Sequence, residues 1–404
     1  MKYFLIVLLS LFFTISTQAA NVTNSTSNKM LFWQTQAKGA NIFNQKIDRD
    51  VIKAAKKYGI SFIRLAPDKF ISKKRDFLIG NADQYNGLVK EDLNVLKEVV
   101  NMCHREGIPV VLTMLSLPGC RWKQNNNNVE DLRLWKDQHF LTQATNFWQD
   151  LAREFKDHPA IIGYDILNEP HPERVYGPQG SEQRDKNNAH IRSTLQGFYR
   201  TIIEAIREVD PSTPIIIESS NNADAGKFNF LDPFLDDHIL YSFHFYEPYC
   251  YTNFKINQGN FGYPGLVPDD DDKATPRFWD KAKLKELLKP VVDFQKKHNV
   301  PNHQILVGEF GGHRSSKGLE HYFSDLISIF NKEGWHFAVY AFQEDTWDGM
   351  DYELGCKKLP WSYWKELEEG KKPQIVRLPE NPVFKVLTKE WGAQNKRNKT
   401  EDES

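Results

Sequence analysis

Two glutamates stand at the ends of short apolar runs. Gly163–Pro172 reads GYDILNEPHP, and Leu306–Gly312 reads LVGEFGG. Glu169 follows IIGYDILN, and Glu309 follows HQILVG. Each run has the length and character of a buried strand. Two carboxyl groups on separate strand ends suit cleavage of a glycosidic bond. One protonates the departing oxygen, and the other attacks the sugar or activates water.

Such a pair needs elements that bring distant strand ends together. Eight apolar runs rich in β-branched and aromatic residues are candidate strands: Ala40–Phe43, Phe62–Leu65, Pro109–Met114, Ile161–Leu167, Pro214–Glu218, Ile239–His244, Gln304–Val307 and Phe337–Phe342. Amphipathic stretches at Arg49–Tyr58, Lys90–Glu106, Leu141–Phe155, His190–Val209, Lys281–His298 and Gly318–Lys332 read as helices between them. Alternation of this kind predicts parallel βα units. From Asn168 to Gly308 is 140 residues over three units, a spacing that suits an enlarged (β/α)8 barrel in one α/β domain. A doubly wound open sheet would call for a glycine-rich phosphate turn, and the sequence has neither GxGxxG nor GxxxxGK.

In a (β/α)8 barrel the C-terminal strand ends carry the chemistry. Here they carry Arg64 on the second strand, Asn168 and Glu169 on the fourth, and Glu218 on the fifth. His244 and Tyr246 follow on the sixth, and Glu309 on the seventh. Glu344, Asp345 and Trp347 follow the eighth. Singly, each is as well explained as a solvated rim residue. Together they put titratable and aromatic groups on one face.

Composition sets the class. Aromatic residues make up 13% of the 404-residue chain, a surplus that serves either a large core or sugar stacking. The formal net charge of −1 gives no global field for nucleic acid or an anionic membrane surface. Residues 1–19 read as a secretory signal peptide, with Lys2, an apolar Tyr3–Ile15 and the small-residue site Thr17-Gln18-Ala19. A secreted, extracellular or periplasmic protein is expected, with no membrane segment after cleavage. Residues 20–28 are expected to be mobile, 29–394 to form the catalytic domain, and 395–404 to be a disordered tail. Asn21, Asn24 and Asn398 head glycosylation sequons. The four cysteines, Cys103, Cys120, Cys250 and Cys356, lack metal-ligand spacing, and a Cys250–Cys356 bridge is the favoured pairing. The acidic run Asp269–Asp272 reads as part of a solvated insertion after the sixth strand, without the ligand spacing of a calcium loop.

With these pieces in order, the chain resembles glycoside hydrolase family 5, the cellulase family of retaining β-glycosidases. The matching segments are Phe62-Ile63-Arg64-Leu65, Leu167-Asn168-Glu169-Pro170, His244-Phe245-Tyr246 and Gly308-Glu309-Phe310-Gly311. The resemblance implies a (β/α)8 barrel, Glu169 as acid/base and Glu309 as nucleophile, ~5–5.5 Å apart. It implies that Arg64 lies beside Glu309 and depresses its pKa, and that Tyr246 hydrogen-bonds the same carboxylate. Asn168 faces the sugar 2-hydroxyl, and His244 lines the cleft. The sequence departs from the family at Leu115, where a histidine is expected, and at the eighth strand. There Phe342 or Trp347 takes the place of the stacking Trp. No metal or cofactor is implied. The expected partner is a carbohydrate, most simply a β-glucan cut internally by a monomer. Mannan, other β-glycosides and transglycosylation stay open, as does a non-catalytic sugar-binding barrel.

Overall fold

The computed structural model describes residues 29–72, 76–176, 181–268, 275–371 and 373–402. Residues 1–19, expected to be a signal peptide, the 20–28 segment and the acidic run 269–272 lie outside the described residues. Eight parallel strands close into a barrel: β1 Lys38–Ile42, β2 Ile63–Leu65, β3 Val110–Thr113, β4 Ile161–Asp165, β5 Ile215–Glu218, β6 Ile239–Phe245, β9 Ile305–Phe310 and β10 His336–Val339. The order around the barrel is β1-β10-β9-β6-β5-β4-β3-β2. All eight expected strands are present within a few residues. Missing from the sequence reading is an antiparallel hairpin, β7 Gly265–Pro268 with β8 Pro276–Trp279, inside the insertion after β6. Its alternation is too short to register as strand.

Helices fill the crossovers where expected. Arg49–Tyr58 begins at Asp48, whose carboxylate accepts from the backbone of Asp50 and Val51, and ends at Gly59. The stretch expected as one helix, Lys281–His298, is two: Lys281–Leu287 and Lys289–His298. Pro290 explains the break, because proline has no N–H for the preceding turn yet suits the first turn of a new helix. The last helix, Pro382–Asp402, carries helical backbone into the 395–404 segment read as a disordered tail. None of the described helices is long and apolar enough to cross a membrane. All four cysteines are thiols: Cys250 is buried, Cys356 is exposed, and no bond joins them, contrary to the favoured pairing.

The barrel interior is layered by the two-residue period of its strands. Phe62, Val111, Ile216, Leu240, Leu306 and Ala338 form an apolar floor, closed below by Met30 and Trp33 of a short N-terminal helix. Two residues further along the same strands the layer turns polar: Arg64, Thr113, Glu218 and Ser242. Sequence thus stacks an ionic layer on an apolar one. The apolar layer excludes water from beneath the polar one, whose groups open toward the C-terminal face.

Candidate active site

Arg64 is the centre of the polar layer and is fully buried. Its guanidinium pairs with three carboxylates: Asp165 Oδ2, Glu218 Oε1 and Glu309 Oε1, each at 2.8 Å. It also donates to Asn41 Oδ1 (3.0 Å), Thr113 Oγ1 (3.1 Å) and Asn168 Oδ1 (2.9 Å). A planar fork with five N–H groups meets these six acceptors with one N–H of Nη2 shared, and an ammonium with three cannot. Removing one partner from such a buried network typically costs ~3–5 kcal/mol, since charge is left unpaired.

Glu309 reaches the cleft through a strand irregularity. The register of β6 with β9 pairs Phe243 with Val307, then His244 with Glu309, so Gly308 is the extra residue. A Cβ on Gly308 would stand 2.7 Å from Ser242 Oγ and 3.0 Å from His244 Nε2, so the bulge needs glycine. Its Oε2 accepts from the Tyr246 hydroxyl at 2.7 Å. Both carboxylate oxygens of Glu309 are therefore held, by Arg64 and by Tyr246.

Glu169 sits four residues beyond β4. Asn168 N–H donates to Met114 O at 2.8 Å, which anchors the turn. The Glu169 backbone then adopts φ +53°, a left-handed conformation that costs an L-residue of order 1–3 kcal/mol and persists only where surroundings enforce it. Its N–H donates to Glu218 Oε2 at 2.7 Å. Its carboxyl Oε1 lies 3.1 Å from His244 Nδ1. The Glu169 side chain is 20% exposed against 6% for Glu309, so one carboxyl faces solvent more than the other.

Oxygens of Glu169 and Glu309 and a nitrogen of His244 lie within 4.8 Å of one another. That is nearer the close carboxyl spacing of double displacement than the ~6.5–9.5 Å that leaves room for a water. The same three atoms could span a cation, but Glu309 already accepts from Arg64 and Tyr246 on its two oxygens.

Burial and charge compete across the site. Burial alone would lower His244, but the charges of Glu218 and Glu309 and the hydrogen bond to Glu169 raise it well above its ordinary value. Burial also raises Glu309, and Glu169 adds to this. His244, Arg64 and the Tyr246 hydrogen bond pull the other way without overcoming it. The expectation that Arg64 depresses Glu309 is therefore corrected: the attraction is present, but desolvation exceeds it. Asp165 is raised to about 7, by burial and by Glu218, and its Oδ1 has no hydrogen-bond partner.

The structure brings together Arg64, Asn168, Glu169, His244, Tyr246 and Glu309. It does not bring Phe342 to them. Phe342 is 2% exposed and packs edge-on against Tyr58 and Trp391, in the layer between barrel and helices. The sequence reading ran the last strand too far. β10 stops at Val339, so the inward set is Ala338 then Tyr340. Tyr340 packs its ring edge on Phe43 and donates its hydroxyl to Glu344 Oε1 at 3.1 Å. Trp347 is 43% exposed and lies 6.3 Å from the His313 ring on the loop after β10. Sequence reasoning also omitted Asn41 and Asp165 from the site. Each sits at a strand end, but neither stands in a motif that distinguishes it from a core polar residue.

Tyr340 and Phe342 separate experimentally. Tyr340→Ala is expected to lower kcat/KM by roughly 5- to 150-fold through loss of ~1–3 kcal/mol of transition-state binding, with little change in Tm. Phe342→Ala is expected to destabilise the fold by ~3–5 kcal/mol and leave kcat/KM of the folded enzyme unchanged. Paired kinetics and thermal melts decide. An active Tyr340→Ala would remove Tyr340 as the sugar platform.

Comparison with known proteins places the chain in a family. The model of the family "Cellulase (glycosyl hydrolase family 5)" matches residues 19–346. Endoglucanase C of Acetivibrio thermocellus is 24% identical over 302 residues, covering 69% of this chain and 80% of that protein. Cellodextrinase A of Ruminococcus flavefaciens is 22% identical over 287 residues, 70% of this chain and 74% of its own. Among solved structures, Thermotoga maritima Cel5A, a mutant form with cellobiose, aligns with a TM-score of 0.60 at 16% identity. That alignment spans 89% of this chain and 99% of the other, and shows a shared fold.

Proposed function

Because this chain belongs to glycosyl hydrolase family 5, the cellulase family, and is a glycoside hydrolase, we propose that it cuts internal β-glucosidic bonds of a secreted enzyme's polymeric substrate, with Glu309 as nucleophile and Glu169 as acid/base. The observation that carries the reading is the unequal treatment of two neighbouring carboxyls. Glu309 is buried, gripped on both oxygens and aimed by a glycine bulge. Glu169 is more exposed and touches a charged imidazole.

The first step is attack of a Glu309 oxygen on the anomeric carbon. The anomeric bond to the leaving oxygen breaks, and Glu169 gives that oxygen its proton. Tyr246 and Arg64 hold the attacking carboxylate in one orientation, which replaces a search with a near-attack geometry. In the second step Glu169, now ionised, takes a proton from water. The water oxygen attacks the anomeric carbon, and Glu309 leaves as carboxylate. Asn168, its Oδ1 tied to Arg64, presents its amide N–H to the sugar 2-hydroxyl. Tyr340 floors the site in place of the expected Phe342 or Trp347. Trp347 serves sugar units further along the chain.

A panel of β-1,4-glucan, mixed-linkage glucan, β-1,3-glucan and β-mannan tests the reading. Viscosity should fall before reducing ends accumulate on a β-1,4-glucan, and proton NMR should show the β-anomer released first. Release of monosaccharide without loss of viscosity would overturn the endo assignment. An α-anomer would overturn the Glu169–Glu309 mechanism.

A further inference from the structure

We propose that Glu218 is the positioning residue of this site, a single buried carboxylate that fixes the backbone of Glu169 and anchors the His244 ring against the Glu169 carboxyl. The proposal rests on Glu169 being the acid/base. Glu218 ends β5 and is fully buried. Its Oε1 accepts from Arg64 Nη2 at 2.8 Å and stands 3.0 Å from His244 Nε2. Its Oε2 accepts the Glu169 N–H at 2.7 Å. The other imidazole nitrogen, Nδ1, lies 3.1 Å from Glu169 Oε1. Glu218 thus acts on Glu169 twice, at the main chain directly and at the carboxyl through His244.

The backbone of Glu218 is itself held from behind. The Tyr199 hydroxyl, on the helix Ser181–Arg207, donates to Glu218 O at 2.8 Å and accepts from Glu218 N–H at 3.0 Å. One hydroxyl therefore closes both main-chain groups of this residue. A buried strand end would not need a charge merely to be stable, since a well-packed apolar side chain usually does as well. What an apolar side chain cannot do is accept the N–H of a left-handed Glu169 and keep an imidazolium beside it.

The titratable groups facing Glu218 come from four strands: Arg64 on β2, Asp165 on β4, His244 on β6 and Glu309 on β9, with Glu169 above. Burial pushes Glu218 up, but His244 and Arg64 outweigh it and bring it below its ordinary value. In return, Glu218 comes first among the charges that raise His244. The two groups keep each other ionised. His244, held by Glu218, then keeps the Glu169 carboxyl in one orientation through its Nδ1 at 3.1 Å.

The test is Glu218→Gln, which keeps shape and removes charge. Imidazole nitrogen NMR follows His244, and kcat/KM is measured across aryl glycosides of graded leaving ability. The His244 titration should fall by about one unit or more. Poor leaving groups should lose roughly tenfold more activity than dinitrophenolate, because only they need the proton from Glu169. An unchanged His244 titration, or one loss common to all leaving groups, overturns the proposal. Tyr199→Phe is the second variant and decides alone if Glu218→Gln fails to fold. It keeps the carboxylate but releases its main chain. It should leave the His244 titration in place and give a smaller loss, about threefold greater for poor leaving groups than for good ones. A uniform loss, or none, overturns the proposal. The NMR readout needs no turnover. An inactive wild-type enzyme with the expected His244 shift would therefore sink the hydrolase reading and leave the hold of Glu218 on His244 standing.

Discussion

Glu309→Gln is expected to abolish turnover of β-glycans, by on the order of 10⁴-fold or more in kcat, while the barrel stays folded. The amide is no nucleophile, so the glycosyl ester cannot form. The fold survives because the substitution keeps most of the local bonding. The amide oxygen still accepts from Arg64 Nη1, and the amide N–H can donate to the Tyr246 oxygen. Arg64 also retains its pairs with Asp165 and Glu218, so its charge is not stranded. Two measurements check this: initial rates on the best polymer, and the mass of the wild-type protein after an activated 2-fluoroglycoside. The label should map to Glu309 in the wild type and be absent in the variant. Glu309→Ala or Glu309→Gly opens a cavity, and azide entering there should restore turnover with inverted product. Near-normal rates for Glu309→Gln would end the assignment.

The same residue fixes one side of the pH profile. The folded-state pKa of Glu309 is raised, chiefly by burial. The nucleophile must be ionised, so activity is present above that pKa and is lost as pH falls through it. The acid limb of kcat/KM should therefore lie above the ordinary glutamate range of about 4.3. Weakening the Arg64 pairing, for instance by Arg64→Lys, should move that limb further up, because one opposing charge becomes less well placed.

Why the sequence disclosed some of this and not the rest is a matter of what leaves a local trace. Strand and helix periods are local, and they placed the eight barrel strands and the crossover helices. The two glutamates were legible because each ends an apolar run within a short motif. Arg64, His244 and Tyr246 were legible as polar residues at strand ends. The platform was not. Phe342 and Tyr340 are two residues apart on an apolar run, and which one turns inward depends on where β10 stops pairing with β1 and β9. Nothing local reports that. The balance of charge at Glu309 was equally hidden, because it sums burial and Glu169 against Arg64, His244 and Tyr246, groups brought in by three different strands. The glycine bulge at Gly308 was visible as a GEFG motif, but its cause, contact with Ser242 and His244, is tertiary.

Glu169→Ala should divide the reaction by leaving group. General acid catalysis is worth about 10²–10⁴-fold where the departing oxygen needs a proton, so polymer and simple alkyl glycosides should lose that much. A dinitrophenolate leaves unaided, and loading of Glu309 by its glycoside should be nearly unchanged. The second step then lacks its base, so the glycosyl-enzyme accumulates. Stopped-flow absorbance should show a burst of dinitrophenolate followed by a slow steady state. Azide needs no general base, and it should relieve the steady state by forming a glycosyl azide of retained configuration. The fold should tolerate the change, because the Glu169 side chain is one-fifth exposed and its backbone bond to Glu218 remains. The imidazole Nδ1 loses its acceptor, yet Glu218 still faces Nε2, so His244 stays in place. Equal loss of the loading step for good and poor leaving groups would assign the proton to another residue.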